Sequence, residues 1–363
     1  MTLGINGRFY AARLTGVQRF ARELCAELYQ RADVVLFLPA NATLPALPDS
    51  VRVVRGSASG QIWEQIELPR LAAAQHISTL FHPANTVPLS GTNNAVVVHD
   101  VMPLTHPQWF SRKYAIWHRH LVRPALAKAQ TIFTCSQWSA REIARTCGVA
   151  PGQIHIITQG LTPFDTPASA DAVMKTRTRF GIAGPYLLCV GLGDARKNIG
   201  LLTPVMTELT RTHPDLRLVA VGANDARIHP DGPDPAGDWC HQVGSVDDDA
   251  LRALYTGAIA LCFPSLAEGF GRPPLEALAC GTPVVAGDYA AAHEVLGDAV
   301  PILPYAREPW IALLRELLEQ PGRRAELVRR GASRLTTLRW SRTADQVLRV
   351  LQPGSILQPA VFA

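Results

Sequence analysis

Two glutamates, Glu268 and Glu276, bracket a glycine- and proline-rich stretch whose residue types could bind an anion and adjacent hydroxyl groups. Gly269 and Gly271 flank Phe270, so the backbone of this loop can approach a ligand closely. Two prolines follow and suit the first turn of a helix, where their missing N–H groups are not needed. A glycine-rich loop that leads into a helix N-terminus attracts anions, and a carboxylate accepts hydrogen bonds from adjacent hydroxyls. The two glutamates could therefore hold a sugar at one end and a ribose at the other. The alternative is that one carboxylate is solvated and the other interacts with the helix dipole.

A second candidate site is the basic pair Arg196–Lys197, which follows the predicted strand Tyr186–Val190 and a glycine-containing turn. Arg can grip a diphosphate through two hydrogen bonds, whereas Lys acts as a point charge. The turn lacks the third glycine of a dinucleotide-binding fingerprint, and it is not a P-loop. The pair therefore predicts a diphosphate site, and the alternative is two solvated surface cations.

The third candidate is the His99–Asp100 pair at the end of a predicted buried strand, 95–100. Strand C-termini in an α/β sheet point toward the ligand crevice, so this histidine is a candidate site residue. The alternative is a structural histidine that is hydrogen-bonded to Asp100 or to the backbone.

Short apolar strands alternate with amphipathic helices along the whole chain, which predicts an α/β fold with parallel sheets covered on both faces. The chain has 363 residues, and this length favours two domains. The turn-rich stretch 158–169 reads as the linker, which gives domains at 1–165 and 170–340. Strands are predicted at 3–6, 34–38, 51–54, 79–82, 95–100, 131–135, 154–157, 186–190, 216–221, 258–263, 282–286 and 300–303, with a further one around Gly244. Helices are predicted at 17–30, 61–74 and 137–146, with Thr15 and Ser136 as N-caps of the first and third. Phe20, Leu24 and Leu28 lie at helical spacing in the first of these helices. Gly281 suits the position just after the helix that carries Glu276. We expect a turn at 293–295 and an exposed loop at 228–238.

Composition narrows the class of protein. Hydrophobic residues make up 47% of the chain and charged residues 18%, so a sizeable core is available. We find no apolar run long enough to span a bilayer and no signal peptide at the start. The seven cysteines form no C-x-x-C pair, which favours a reducing cytoplasm. The net charge of +5 suits an anionic ligand or a membrane surface, and also ordinary solubility.

The predicted helix 112–127 has an aromatic stripe and basic flanks. Such a helix could lie on a membrane or hold an anionic, lipid-linked acceptor. We favour the alternative, in which the aromatic residues pack on the sheet and the charges are solvated. The run of three aspartates at 247–249 is explained by helix capping rather than by metal binding.

The segment Glu268-Gly-Phe-Gly-Arg-Pro-Pro-Leu-Glu276 resembles the E-x7-E motif of retaining family-4 glycosyltransferases. The resemblance implies the GT-B fold, in which two Rossmann-like parallel-sheet domains face each other across a cleft. It also implies that Glu268 faces the donor sugar, that Glu276 binds the ribose, and that the Gly269–Phe270–Gly271 backbone lies near the sugar and the diphosphate. Arg272, also among the donor-site candidates, stands where the family has an aliphatic residue.

The same resemblance assigns further residues. Arg196 and Lys197 would grip the nucleotide diphosphate, and His99 would lie near the donor sugar. Gly16, in the loop after the first strand, would lie near the donor phosphates. The backbone of Gly244, Ser245 and Val246 would hold the nucleobase, and the final helix, 341–352, would cross back to the first domain.

The implied activity is retaining transfer of a sugar from a nucleotide-sugar donor to a polysaccharide or a lipid-linked saccharide acceptor. We expect no metal or other cofactor and no nucleic-acid partner, in a cytoplasmic protein with peripheral contact to the inner membrane face. The Asn6-Gly-Arg-Phe and Thr15-Gly-Val-Gln-Arg segments resemble bacterial polysaccharide mannosyltransferases, which favours GDP-mannose over UDP- or dTDP-sugars. The alternatives are an epimerase or phosphorylase of the same fold, and a non-catalytic α/β binding module.

Overall fold

The protein is described by a computed structural model that covers residues 2–91, 93–222 and 237–352. These residues form two compact units, each with its own parallel sheet. The first unit contains the described residues up to Thr105, then Ile116–Gly160, then the described residues from Leu338 onward. The second unit contains His106–Ala115 and the described part of Leu161–Thr337. The loop predicted at 228–238 lies almost entirely outside the described residues.

The sheet of the first unit has seven parallel strands in the order β3-β2-β1-β4-β5-β6-β7. These strands are β1 Leu3–Asn6, β2 Val34–Leu38, β3 Arg52–Arg55, β4 Thr79–His82, β5 Asn94–Val97, β6 Thr131–Thr134 and β7 Ile154–Ile156. The chain builds outward from β1 to one edge and then from β4 to the other edge. The point between β1 and β4 is therefore the topological switch point of this sheet, where α/β folds bind ligands.

Amphipathic helices cover the first sheet. The α-helices of the first unit are Gly16–Tyr29, Gly60–Ile62, Leu68–Ala74, Met102–Thr105, Arg123–Lys128, Gln137–Cys147 and Trp340–Leu351. The helix Arg112–Trp117 begins among residues of the second unit and ends among residues of the first. In the helix Gly16–Tyr29, Phe20, Leu24 and Leu28 are completely buried, which agrees with their predicted helical spacing. Ser136 caps the helix Gln137–Cys147 as predicted, because its Oγ accepts a hydrogen bond from Ser139 N at 3.0 Å.

The last helix, Trp340–Leu351, packs within the first unit. Gln346 Oε1 accepts a hydrogen bond from Thr158 N at 2.9 Å, and Thr343 Oγ1 donates one to Thr158 O at 3.1 Å. The backbone at Gly160 runs against the Trp340 ring, where an added Cβ would lie 2.4 Å from the ring. These contacts tie the end of the described chain to the stretch that follows β7.

The sheet of the second unit has six parallel strands in the order β10-β9-β8-β11-β12-β13, with its switch point between β8 and β11. They are β8 Tyr186–Val190, β9 Arg217–Val221, β10 Cys240–Gly244, β11 Ala260–Phe263, β12 Val284–Gly287 and β13 Ile302–Leu303. The α-helices of this unit are Ala170–Arg179, Leu202–Thr212, Asp248–Gly257, Arg272–Ala279, Ala292–Leu296, Arg307–Glu319 and Pro321–Leu335. None of the helices in the described ranges is both long enough and apolar enough to cross a membrane.

Several predicted elements were wrong in detail. The strand predicted at 95–100 ends at Val97, because His99 N donates to the Asn85 side chain rather than to a neighbouring strand. The helices predicted at 61–74 and 112–127 are each interrupted by a π-helical turn, at Trp63–Glu67 and His118–Val122.

One smaller prediction also failed, and another is confirmed only in position. The turn predicted at 293–295 is the short helix Ala292–Leu296. Thr15 occupies the N-cap position of its helix, but its hydroxyl contacts the Gln18 side chain instead of a backbone N–H group.

Candidate functional site

The segments that follow β8 and β11 carry most of the predicted donor-site residues, and they meet at the switch point of the second sheet. Their backbones are joined directly, because Leu266 N donates to Arg196 O at 2.7 Å. Ser265 Oγ lies 3.2 Å from the same carbonyl oxygen. Residues about 70 positions apart in sequence are thereby held in one edge of the sheet, where parallel α/β folds bind ligands.

Lys197 and Glu268 form an ion pair, with Nζ 2.5 Å from Oε1. Their side chains are only 14% and 12% exposed. Ser265 Oγ also donates to Glu268 Oε1 at 2.6 Å, and Lys197 Nζ lies 5.0 Å from the centre of the Phe263 ring. The lysine predicted to bind the diphosphate and the glutamate predicted to bind the sugar are therefore in direct contact.

Gly191 makes room for the Lys197 side chain. It has φ 108°, and an added Cβ would lie 2.8 Å from the Lys197 side chain. Because L-residues rarely adopt this conformation, a side chain here would both strain the turn and push against the lysine. Gly191 thus allows the Lys197 side chain to lie against the turn.

Arg196 is held by a carboxylate on one edge and by an aromatic ring on its face. Its Nε lies 3.1 Å from both Asp194 carboxylate oxygens, and its Nη2 lies 2.6 Å from Asp194 Oδ2. The guanidinium carbon lies 5.3 Å from the centre of the Phe110 ring. Sequence analysis missed both partners, although a carboxylate two residues before a predicted site arginine was visible in the sequence.

Glu276 is nearly buried on the helix that follows the Gly269–Gly271 loop. Arg272 Nε donates to its Oε1 at 3.1 Å, and Tyr255 OH donates to its Oε2 at 3.1 Å. Burial, and then the negative charge of Glu276, raise the pKa of Tyr255 well above its usual value, so this hydroxyl remains a donor. The unexpected Arg272 therefore pairs with the carboxylate that we predict for the ribose.

Two tyrosines that sequence analysis missed support the loop. Gly271 caps the helix with φ 84°, and an added Cβ there would lie 2.5 Å from Tyr289 OH. That hydroxyl donates to Phe270 O at 3.4 Å, and Tyr305 OH donates to Ser265 O at 2.7 Å. Burial raises the pKa of Tyr305 to about 12, so it also stays protonated. The loop backbone is thus fixed from behind.

Each basic side chain of this site faces a carboxylate of the same unit. The three ion pairs are Lys197–Glu268, Arg196–Asp194 and Arg272–Glu276. All six side chains are at most 15% exposed. The charges of the site therefore balance in pairs before a ligand binds, and a diphosphate must share these cations with the carboxylates.

The three residues predicted to hold the base lie at the C-terminal end of β10, the strand at one edge of this sheet. Gly244 ends the strand with φ 69°, and its carbonyl accepts from Gly222 N at 2.9 Å. Ser245 and Val246 continue the loop up to Asp247, which caps the next helix by accepting from Ala250 N at 2.8 Å. Helix capping was predicted for the three aspartates at 247–249, and it is confirmed for Asp247. Among the described residues, no group of three or more His, Cys, Asp or Glu side chains could hold a metal ion.

His99 and Gly16 lie in the first unit. His99 is half-buried after β5, with its ring edge-on to Phe20 at 4.6 Å between centroids. Its carbonyl accepts from Ser139 Oγ at 2.9 Å, while Asp100 Oδ1 accepts from Met102 N at 3.0 Å. Gly16 is the exposed first residue of its helix, and an added Cβ would meet no atom within 4 Å. Packing therefore does not require glycine at position 16.

Comparison with known families gives two matches along the chain. Residues 14–163 match the family described as Glycosyltransferase Family 4. Residues 176–334 match the family described as Glycosyl transferases group 1. Together they cover most of both units.

Curated relatives match over part of their length. O-antigen chain mannosyltransferase RfbU of Salmonella typhimurium is 26% identical over 245 residues, which are 65% of this chain and 64% of that protein. O-antigen chain mannosyltransferase B of Escherichia coli is 26% identical over 257 residues, which are 69% of this chain and 68% of that protein. D-inositol 3-phosphate glycosyltransferase of Kineococcus radiotolerans is 30% identical over 241 residues, covering 58% and 54%. The chain thus spans between about half and two thirds of the length of these relatives.

Solved structures match over nearly the whole chain. WaaG, a glycosyltransferase involved in lipopolysaccharide biosynthesis, has a TM-score of 0.69 at 14% identity, covering 98% of this chain and 100% of that one. HepE of Anabaena, solved in complex with UDP and glucose, has a TM-score of 0.70 at 16% identity, covering 96% and 98%. At these identities the likeness shows the fold alone.

Proposed function

Because the chain belongs to the family-4 glycosyltransferases with the GT-B fold, we propose that it transfers a sugar from a nucleotide-sugar donor held by the second unit. The observation that carries this proposal is the meeting of Lys197 with Glu268 at the switch point of the second sheet. Cations for a diphosphate and carboxylates for hydroxyl groups are both present there. A sugar nucleotide supplies these two kinds of ligand group together.

We assign the donor contacts by chemistry. Arg196 and Lys197 bind the diphosphate, Glu276 accepts from the ribose, and Glu268 accepts from the sugar. Lys197 has three N–H groups, so it can keep its bond to Glu268 while it donates to a phosphate oxygen. The backbone of the Gly269–Gly271 loop lies against the sugar and the diphosphate, and the 244–246 backbone holds the base.

Catalysis in this proposal depends mainly on electrostatic stabilisation. Departure of a nucleoside diphosphate builds negative charge, and the basic side chains and the helix N-terminus at Gly271 are already in place to stabilise it. We therefore expect no metal or other cofactor. The family resemblance implies a retaining reaction in which the acceptor oxygen bonds to the anomeric carbon, the bond from that carbon to the phosphate breaks, and the departing phosphate takes the proton of the acceptor hydroxyl. Glu268 orients the sugar. For His99 and Gly16 we retain the roles that the family resemblance implies, near the donor sugar and near the donor phosphates.

We favour GDP-mannose as the donor and a polysaccharide or lipid-linked saccharide as the acceptor. Support comes from the relatives named O-antigen chain mannosyltransferases. UDP- and dTDP-sugars are the competing donors, and HepE of the same fold was solved with UDP. A lipid-linked acceptor would place the reaction at the cytoplasmic face of a membrane.

A donor screen with the purified full chain tests the proposal. Calorimetry measures the binding of GDP-mannose, UDP-glucose and dTDP-glucose, and chromatography follows release of the nucleoside diphosphate. We expect one donor to bind and to be slowly hydrolysed, and Glu276→Ala to abolish both. Binding of a donor without turnover, with or without a saccharide acceptor, would support the non-catalytic module instead. Conversion of the donor sugar to its epimer without an acceptor would support the epimerase.

A further inference from the structure

A buried polar network lies at the other topological switch point, in the first unit. Asn6 ends β1, and His82 ends the neighbouring strand β4. Asn6 Nδ2 donates to Glu64 Oε1 at 3.0 Å and lies 3.0 Å from His82 Nδ1. Arg8 Nη1 lies 2.5 Å from Glu64 Oε2, and Thr86 Oγ1 donates to Glu64 Oε1 at 2.6 Å. The proposed donor site uses none of these residues.

Hydrogen bonding fixes the charges in this network. The Asn6 amide nitrogen donates to Glu64, so it also acts as the donor toward His82 Nδ1. His82 Nε2 then carries the proton and donates to Asn94 Oδ1 at 3.1 Å. Burial lowers the pKa of His82 to about 4, which keeps the imidazole neutral near pH 7. The charged groups of the network are therefore Arg8 and Glu64.

The two members of this ion pair differ in accessibility. The Glu64 side chain is 0% exposed, whereas the Arg8 side chain is 29% exposed. A ligand that reaches this pair therefore meets the guanidinium and not the carboxylate. Arg is only a hydrogen-bond donor, so the ligand must bring acceptor oxygens, and the planar fork matches the paired oxygens of a phosphoryl group or a carboxylate. Of these two, the phosphoryl group is the one that a lipid-linked or phosphorylated saccharide acceptor supplies.

Local backbone geometry places Glu64 inside the unit. It lies on the π-helical turn Trp63–Glu67, and such turns occur frequently at functional sites. The arrangement parallels the second unit, where Lys197 follows the central strand β8 and pairs with Glu268. In each sheet, a cation after the first strand faces a glutamate at the position where α/β folds bind ligands.

We propose that Arg8 binds a phosphoryl group of the saccharide acceptor, and that Glu64 is a positioning residue that orients its guanidinium. The inference rests on the proposed function, because it takes the ligand of the first unit to be the acceptor. The phosphoryl group belongs either to a lipid diphosphate linkage or to a phosphorylated sugar. The opposing interpretation is that Arg8 is only the counterion of a buried carboxylate.

The test uses the full chain, saturated with the nucleoside diphosphate that binds most tightly, so that the donor site is filled. Calorimetry then compares three probes: dodecyl diphospho-N-acetylglucosamine, N-acetylglucosamine 6-phosphate and the uncharged dodecyl N-acetylglucosaminide. We expect at least one phosphorylated probe to bind about tenfold or more tightly than the uncharged one. Binding of the diphosphate probe alone supports a lipid-linked acceptor, and binding of the sugar phosphate supports a phosphorylated sugar.

Variants separate ligand binding from a structural role. Arg8→Lys keeps the positive charge but loses the fork, so we expect about tenfold weaker binding of the phosphorylated probe. Glu64→Gln keeps an acceptor oxygen for Arg8 but removes the competing charge, so affinity should rise a few-fold. The double variant Arg8→Gln/Glu64→Gln leaves no unpaired buried charge and should abolish the preference for the phosphorylated probe. Nucleotide affinity should remain unchanged in all three.

Two results would overturn the inference. One is that phosphorylated and uncharged probes bind equally well or do not bind. The other is that the variants at positions 8 and 64 change the free energy of unfolding but no probe affinity. Either result with intact nucleotide binding rejects this inference alone, whereas wild-type protein that binds no nucleotide rejects the proposed function itself.

Discussion

Replacing Lys197 with Met tests the proposed donor site most directly. The substitution keeps an unbranched side chain as far as the ε position and removes the charged nitrogen. If Lys197 donates to the diphosphate, loss of a hydrogen bond between charged groups costs about 1.5–3 kcal/mol, which is roughly a 10- to 150-fold weaker donor Kd. Titration calorimetry with the donor measures this change.

The same substitution must also affect stability. Glu268 would keep its bond to Ser265 but lose its counterion in a position that is only 12% exposed. Breaking a buried pair by removing one partner costs about 3–5 kcal/mol, and we expect the lower end here because water reaches both groups. Urea unfolding of the nucleotide-free protein measures this loss.

Lys175→Met is the matched control in the same unit. Lys175 pairs with Asp171 four residues earlier, but its side chain is 75% exposed. Solvent screens such an exposed pair, so the free energy of unfolding should hardly change and donor affinity should not change at all. If Lys197→Met lowers stability but leaves donor affinity intact, Lys197 is only the counterion of Glu268, and the assignment of the diphosphate is wrong.

Three further predictions follow from described contacts. Tyr255→Phe removes a buried hydrogen-bond donor to Glu276. Nucleotide affinity in calorimetry should fall about fivefold, and the free energy of unfolding in urea should fall by about 1 kcal/mol. Unchanged affinity would contradict the assignment of Glu276 to the ribose. Gly271→Ala should cost about 2 kcal/mol of stability because φ is 84°, whereas Gly16→Ala should change it by less than about 0.5 kcal/mol; equal effects would contradict the strain argument. The folded-state pKa of His82, about 4, lies below that of the unfolded chain, so the unfolded state binds the proton first as pH falls. The contribution of His82 to the free energy of unfolding should be complete above about pH 6.5 and should fall by about 3 kcal/mol by pH 4. Unfolding measurements across this pH range should show a weaker pH dependence for His82→Gln. An unaltered pH dependence would show that other groups cause it.

Local sequence signals predicted the loop and helix around Glu276 well. Prolines at the helix start and Gly281 after its end fixed both boundaries, and the observed helix is Arg272–Ala279. The pairing of Arg272 with Glu276 was also accessible, because residues four apart lie on one helix face. Sequence analysis treated Arg272 only as a departure from the family and overlooked this neighbour.

The network around Glu64 could not be predicted in the same way. Its members come together only through the order of the strands, since Asn6 and His82 end two strands that are 76 residues apart and adjacent in the sheet. The π-helical turn that turns Glu64 inward differs from an α-helix by one inserted residue, and the hydrophobic period does not reveal it. The tyrosine that supports Gly271 is hidden for the same reason, because its contact is non-local.

The paired charges around β8 and β11 also bear on which cellular anions the protein ignores. An uncompensated cluster of basic groups would attract any polyphosphate, including abundant mononucleotides and RNA. Here each cation already has a carboxylate, so a bare phosphate gains little by displacing it. A molecule that brings hydroxyl groups for the carboxylates together with phosphates for the cations satisfies both partners at once. The site thereby selects ligands that carry phosphates and hydroxyl groups together over ligands that carry phosphates alone.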